Sequence, residues 1–200
     1  LGSPAIIGTS EGESKFFGLE EAVALRDVLR KKYGAAIFLN LDHGKSVEYL
    51  EQAIQAGYDM VHFDGSKLPF EENVKISKEV VKMAKKKKTL VEGEMGRIGT
   101  DASRVYTEAF QVNEENLTKP EQAADYLRQT GVNFLAISIG NFHGIDKSGG
   151  SEQLRILLLQ EIHAALQGKS GLVLHGGSGT PQGDIAQAIA SGIVKININT

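Results

Sequence analysis

The chain of 200 residues contains no cysteine, which excludes a disulfide framework and any thiolate metal site. It has no apolar run near the ~20 residues that a membrane-spanning helix needs, and no secretory hydrophobic segment opens it. Charge of one sign is also missing. With 22 Lys plus Arg against 25 Asp plus Glu the net charge is −3, so nucleic acid and anionic membranes are not expected as partners. What is present is a 41% apolar chain, sufficient for one substantial core and outside the disordered, collagen-like and coiled-coil ranges. A reducing, cytoplasmic location fits a chain without cysteine.

Short apolar runs rich in Val, Ile, Leu and Phe occupy residues 5–9, 36–41, 60–63, 89–93, 134–139, 171–174 and 193–198. Several are near-continuously apolar, as strands buried on both faces should be. Amphipathic stretches lie between them, at 19–33, 46–56, 71–86, 119–129, 152–167 and 181–190. In the first, Leu19, Ala22, Val23, Leu25, Val28 and Leu29 recur at helical spacing and Gly34 stands at the stop. This alternation predicts βαβ units and a parallel sheet. No G-x-G-x-x-G follows the first run, which speaks against a dinucleotide fold. The expected class is α/β, a (β/α)8 TIM barrel. Such barrels take about 250 residues, so this chain reads as one truncated barrel domain over residues 1–200, lacking the first strand and the closing C-terminal helix. Residues 97–116 match neither helix nor strand and read as a long active-site loop. The lysines at 85–88 read as a solvated helix C-terminus.

Parallel-barrel enzymes place their chemistry where strands end. After successive runs stand Asp42-His43-Gly44, Asp64-Gly65-Ser66-Lys67, Glu92-Gly93-Glu94-Met95-Gly96, Gly140-Asn141-Phe142-His143-Gly144 and His175-Gly176-Gly177-Ser178-Gly179. Three of the 5 histidines therefore sit at strand ends, each followed by glycine. Three neutral imidazoles with one open position make a catalytic zinc site, and the glycines would let the backbone turn sharply there. His62, inside a strand, and His163, inside a helix, read as structural. The glycine-rich turn after His175, with Pro181 opening a helix, suits an anion. Asp42 either orients an imidazole or exchanges protons with substrate. Adjacent residues 42 and 43 should point to opposite faces if the strand continues through them. Asp64 and Glu94 are further carboxylates at the same rim. Lys195, Asn197 and Asn199 alternate along the last run and share a face.

Together these motifs, with Leu68-Pro69-Phe70-Glu71-Glu72-Asn73 and Lys195-Ile196-Asn197-Ile198-Asn199-Thr200, resemble the class II, metal-dependent fructose-bisphosphate and tagatose-bisphosphate aldolases, over essentially the whole chain. The resemblance implies a (β/α)8 barrel, homodimeric or homotetrameric, that acts as a lyase in glycolysis or related carbohydrate metabolism. It would cleave a sugar-bisphosphate substrate to dihydroxyacetone phosphate and glyceraldehyde 3-phosphate, with Zn2+ stabilising the enediolate and Co2+ able to substitute. His43, His143 and His175 match the zinc ligands, and Glu94 matches a carboxylate at an alternative metal position. Asp42 matches the acid/base acting on the C4 hydroxyl. Gly144, Gly176, Gly177, Ser178, Asn197, Asn199 and Thr200 match positions around the substrate phosphate and an associated Na+ or K+. The loop after Glu94 lacks the usual Glu-rich pattern, leaving Asp101 and Glu108 as candidates for the loop acid/base. Gly177, where tagatose enzymes often carry Ala, leans toward fructose.

Other readings differ in chemistry. A Schiff-base aldolase would use a lysine of lowered pKa, for which Lys195 is the best placed, but it leaves the three His-Gly strand ends without a purpose. A zinc hydrolase would need an activated water and no sugar-phosphate site. A non-catalytic metal- and sugar-phosphate-binding homologue would keep both ligands and lack turnover.

Overall fold

The Val-, Ile- and Leu-rich runs do form strands, and neighbouring strands pair in parallel. The computed structural model describes residues 4–98, 105–108, 111–148 and 154–199. The chain divides into two units, one of Leu1–Gly93 with Thr130–Val132 and one of Glu94–Gln129 with Asn133–Thr200.

In the first unit the order is β1 (Ala5–Ser10), α1 (Glu11–Phe17), α2 (Leu19–Tyr33), β2 (Ile37–Gly44), α3 (Val47–Ala56), β3 (Met60–Phe63), α4 (Phe70–Lys87) and β4 (Leu90–Met95), whose last two residues belong to the second unit. The strands are neighbours in chain order, each crossover being a helix. The register sets Ser10 beside Asp42 and His62 beside Glu92, so polar strand ends line up at one edge. Leu39 and Leu41 of β2 are buried, as are Leu50, Ala53 and Ile54 on the facing side of α3. Burial of each such leucine or isoleucine contributes at most about 1.5–3 kcal/mol. At the opposite end of the strands Arg26, 6% exposed, donates to the Gly57 carbonyl and to Asp59, while Asp59 also accepts the Leu39 N–H. This half-buried ion pair has hydrogen bonds to both partners, the condition under which withdrawing charge from water is tolerable.

Helix α1 has no counterpart in the apolar pattern. It is short, and it is started by a capping box: the Glu13 N–H donates to Ser10 Oγ at 3.2 Å while the Ser10 N–H donates to Glu13 Oε2 at 2.8 Å. The Ser-x-x-Glu spacing is the sequence signal for this. Glu11 of α1 then accepts the N–H groups of Lys45 and Ser46, pinning the turn that follows β2. Burial works against the charge on Glu11, but those backbone donors and Lys15 bring its carboxyl below the ordinary value.

The second unit contains β5 (Val105–Tyr106), α5 (Pro120–Thr130, whose last residue belongs to the first unit), β6 (Phe134–Ile137), β7 (Ile145–Asp146), α6 (Ile156–Leu166), β8 (Gly171–Leu174), α7 (Gln182–Ala190) and β9 (Ile193–Ile196). Strands β6, β8 and β9 pair in that order, all parallel. Leu135, Ile137, Leu159, Ile162, Leu172 and Leu174 are fully buried. Strand β6 stops short of residue 139 because the Ile139 N–H is taken by the Asn141 side chain at 2.8 Å rather than by a neighbouring strand. Part of the segment expected to be an irregular loop pairs after all: β5 lies parallel to β7, and a 3-10 turn covers Glu114–Asn116. A two-residue strand with a distant partner leaves no periodicity to read. Among the described residues no helix is long and apolar enough to cross a membrane.

Candidate metal centre and acid/base residues

In the first unit, β2 delivers Asp42 and His43. An extended strand would send them to opposite faces; the backbone does otherwise. His43 has φ 51°, and the β2–β3 register shifts between Leu41 and Gly44. This bulge brings the donor atoms of Asp42, His43 and His62 within 4.8 Å of one another. Gly44 is needed here for space rather than for an unusual turn. A Cβ on it would lie 2.7 Å from Leu50 Cδ2 and 3.0 Å from the His62 carbonyl oxygen.

Asp64, at the end of β3, lies 3.1 Å from His43 Nδ1. A neutral His43 that donates Nδ1–H to this carboxylate turns its Nε2 lone pair away from Asp64, which is the arrangement that fixes a metal-binding imidazole. Of the two roles open to Asp42, orienting the His43 ring is thus filled by Asp64. Asp64 also accepts from the Ser66 hydroxyl at 2.6 Å. Burial raises the cost of its charge, yet the hydrogen bonds from His43 and Ser66 hold its carboxyl well below the usual carboxylate range. His62 is completely buried; its Nδ1 stands 3.2 Å from the His43 backbone nitrogen, 3.5 Å from Asp42 Oδ1 and 3.9 Å from Glu92 Oε1.

In the second unit, His143 and His175 follow β6 and β8. Their rings meet edge-on with centroids 5.8 Å apart. His175 is fully buried, and its carbonyl accepts from Asn141 Nδ2 at 3.0 Å. Asn197 Nδ2 lies 3.3 Å from one nitrogen of the His175 ring and 3.2 Å from the other. Gly176 has φ 75°, and a Cβ on it would fall 1.9 Å from the Phe142 carbonyl oxygen. Only glycine allows the turn after β8 to press on the backbone just before His143. Gly144 also has a positive φ, 100°. In the glycine-rich turn Ser178 Oγ donates to the Asn199 carbonyl and accepts the Asn199 N–H. The Gly177 N–H donates to the Asn197 carbonyl at 2.9 Å, so this N–H is already engaged within the protein. Glu94 is buried at 2% exposure and Lys195 at 8%. Glu108 is on an exposed stretch. Asp101 and Thr200 lie outside the described residues. His163 packs over Gly192, within 2.8 Å of the place a Cβ there would take, a structural position.

The donor sets suit a divalent ion, since zinc takes imidazole nitrogen and carboxylate oxygen. The first unit offers His43 beside Asp42, and the second offers His143 and His175. Asp64 and Asn141 are residues whose parts the sequence did not assign, and His62, read there as structural, stands against His43 and Asp42. Asp64 was visible as a strand-end carboxylate, but its hydrogen bond to His43 depends on the bulge.

Parallel strands alternating with helices define the partial (β/α)8 barrel class, here with strand-end histidines and carboxylates that could hold a metal ion. The family model for class-II fructose-bisphosphate aldolase matches residues 1–200, and the chain belongs to that metal-dependent family. It is 36% identical over 201 residues to the fructose-bisphosphate aldolase of Staphylococcus aureus (strain Mu50), covering 99% of this chain and 67% of the relative. The crystal structure of the YdjI aldolase from Escherichia coli K12 superposes with a TM-score of 0.79 at 31% identity, over 98% of this chain and 65% of that one. The fructose-bisphosphate aldolase (Fba) of Campylobacter jejuni gives a TM-score of 0.80 at 24% identity, over 99% of this chain and 64% of that one, a likeness of fold. The chain thus spans about two thirds of the length of these relatives.

Proposed function

We propose that the protein is a metal-dependent aldolase that reversibly cleaves a ketose 1,6-bisphosphate, fructose 1,6-bisphosphate foremost, to dihydroxyacetone phosphate and glyceraldehyde 3-phosphate. The observation that carries this reading is the pair on β2: a histidine oriented by Asp64 for metal binding, with the Asp42 carboxylate beside it. In this reading His43, His143 and His175 hold the ion, with zinc as the native metal, and Glu94 offers an alternative position. A bound divalent ion supplies Lewis-acid stabilisation of the negative charge that develops beside the substrate carbonyl.

The rest is the work of the chain's own groups. Asp42 takes the proton of the C4 hydroxyl. The C3–C4 bond breaks, the C4–O bond becomes the aldehyde carbonyl, and the bonding pair stays with the three-carbon fragment that keeps the ketone. A proton delivered to C3, from Asp101 or Glu108, completes dihydroxyacetone phosphate. Gly144, Gly176, Ser178, Asn197, Asn199 and Thr200 surround the phosphate and an accompanying Na+ or K+. Gly177 serves by its lack of a side chain, since a Cβ would lie 2.6 Å from Ile196 Cγ2, while its N–H is held by Asn197. Fixing the phosphate fixes the reacting carbons relative to Asp42. We place this domain, residues 1–200, in a cytoplasmic homodimer or homotetramer.

Cleavage assays on the intact protein with fructose and tagatose bisphosphates, with and without EDTA, test the reading. The expected result is turnover of the fructose substrate, its loss on chelation, and its recovery with Zn2+ or Co2+. Activity indifferent to EDTA but trapped by borohydride at a lysine would transfer the chemistry to Lys195. Zinc binding without turnover of either sugar would leave a non-catalytic homologue.

A further inference from the structure

The bend at His43 raises a question of what holds it. A non-glycine residue in the left-handed region costs about 1–2 kcal/mol, and such a conformation persists only where its surroundings fix it. The β2–β3 ladder cannot do so, because the bulge falls between Leu41 and Gly44. Pairing resumes only beyond it, where the Asp64 N–H donates to the Gly44 carbonyl. The His43 N–H falls in the gap. This amide is part-buried, and leaving it without an acceptor would cost up to about 1–3 kcal/mol, the figure for full burial. Its acceptor is a side chain: His62 Nδ1, at 3.2 Å, from the middle of the adjacent strand β3.

We propose that His62 is a positioning residue for the aldolase site: by accepting the His43 N–H it holds the bulge that turns Asp42 and His43 to the same side. The inference rests on the aldolase reading, in which those two residues do the work. An Nδ1 that accepts a hydrogen bond carries no proton, so a neutral His62 has its proton on Nε2. Two consequences follow. Nδ1 is not available as a metal ligand while the bulge is intact. Nor can it donate to Asp42 Oδ1, 3.5 Å away, so this ring does not supply a proton to the acid/base carboxylate. The full burial of His62 keeps its ring from exchanging this amide for water as a partner.

The bond geometry of the side chain supplies the test. In asparagine Oδ1 stands as many bonds from the backbone as Nδ1 does in histidine; in glutamine the acceptor is one bond further out, in the place of Nε2. In the intact protein His62→Asn should therefore recover most of what His62→Gln and His62→Leu lose. The expected losses in the latter two are about tenfold to a hundredfold in zinc affinity, the range for a residue that orients a ligand, with a fall in kcat and little change in KM. Nitrogen-15 spectroscopy of the metal-free wild type should show His62 Nδ1 unprotonated and hydrogen-bonded to the His43 amide, whether or not any variant folds. A protonated Nδ1, or folded Asn and Leu variants that are equally impaired, would overturn the proposal. If the wild type shows the predicted tautomer and cleaves no bisphosphate, it is the aldolase reading that fails.

Discussion

Asp42→Ala should keep its metal and lose about 10²–10⁴-fold in kcat, the range that a positioned acid or base contributes. The expectation follows from the division of labour on β2. His43 has its own carboxylate, Asp64, at 3.1 Å, so shortening Asp42 leaves the proposed metal ligand oriented. The Asp42 side chain is 26% exposed, hence its removal opens no core cavity and the fold should survive. Asp42→Asn is the sharper variant, because the amide preserves shape and cannot take a proton. Cleavage rates at saturating substrate, measured beside zinc content, separate the two roles. Full activity in Asp42→Ala would remove it from the reaction. Loss of zinc in step with loss of activity would make it a ligand instead.

The other large effect is on the metal. His143→Ala should bring zinc occupancy to background in the intact protein, together with the cleavage activity. An orienting neighbour is worth about 10–100-fold in metal affinity, and removing one of three ligands should cost more than that. His143 is a better choice than His175 for this measurement. His143 is partly exposed, whereas His175 is fully buried against Asn141 and Asn197, and its truncation would also leave a cavity. Metal analysis after dialysis against a weak chelator gives the answer. Retained stoichiometric zinc would take His143 out of the ligand set.

Much of this was legible in the residues. The alternation of apolar runs with amphipathic stretches places the strands; β3 and β8 are buried almost throughout, as unbroken apolar runs imply, whereas the apolar β1 is exposed along most of its length. Helix α2 runs over Leu19–Tyr33, the bounds its apolar spacing gives. The histidines at 43, 143 and 175 stand out since each follows a run and precedes glycine. The reasons for those glycines were not legible: Gly44 makes room for Leu50 and the His62 carbonyl, and Gly176 makes room for the Phe142 backbone, contacts between residues far apart in the chain. The role of His62 was hidden for a related reason. Its place inside β3 reads as core, and only the bulge in the neighbouring strand exposes an amide for it to satisfy. Asp64 could be seen as a strand-end carboxylate, yet its alignment on His43 is set by the same bulge.

The direct measurement of the central proposal is a crystal structure of the zinc-loaded protein with anomalous data at the zinc edge. The predicted result is a single strong peak within about 2.0–2.1 Å of one ring nitrogen from each of His43, His143 and His175, with Asp64 still bonded to His43 Nδ1. A zinc peak bound through other residues, or those three imidazoles too far apart to share the ion, would contradict it.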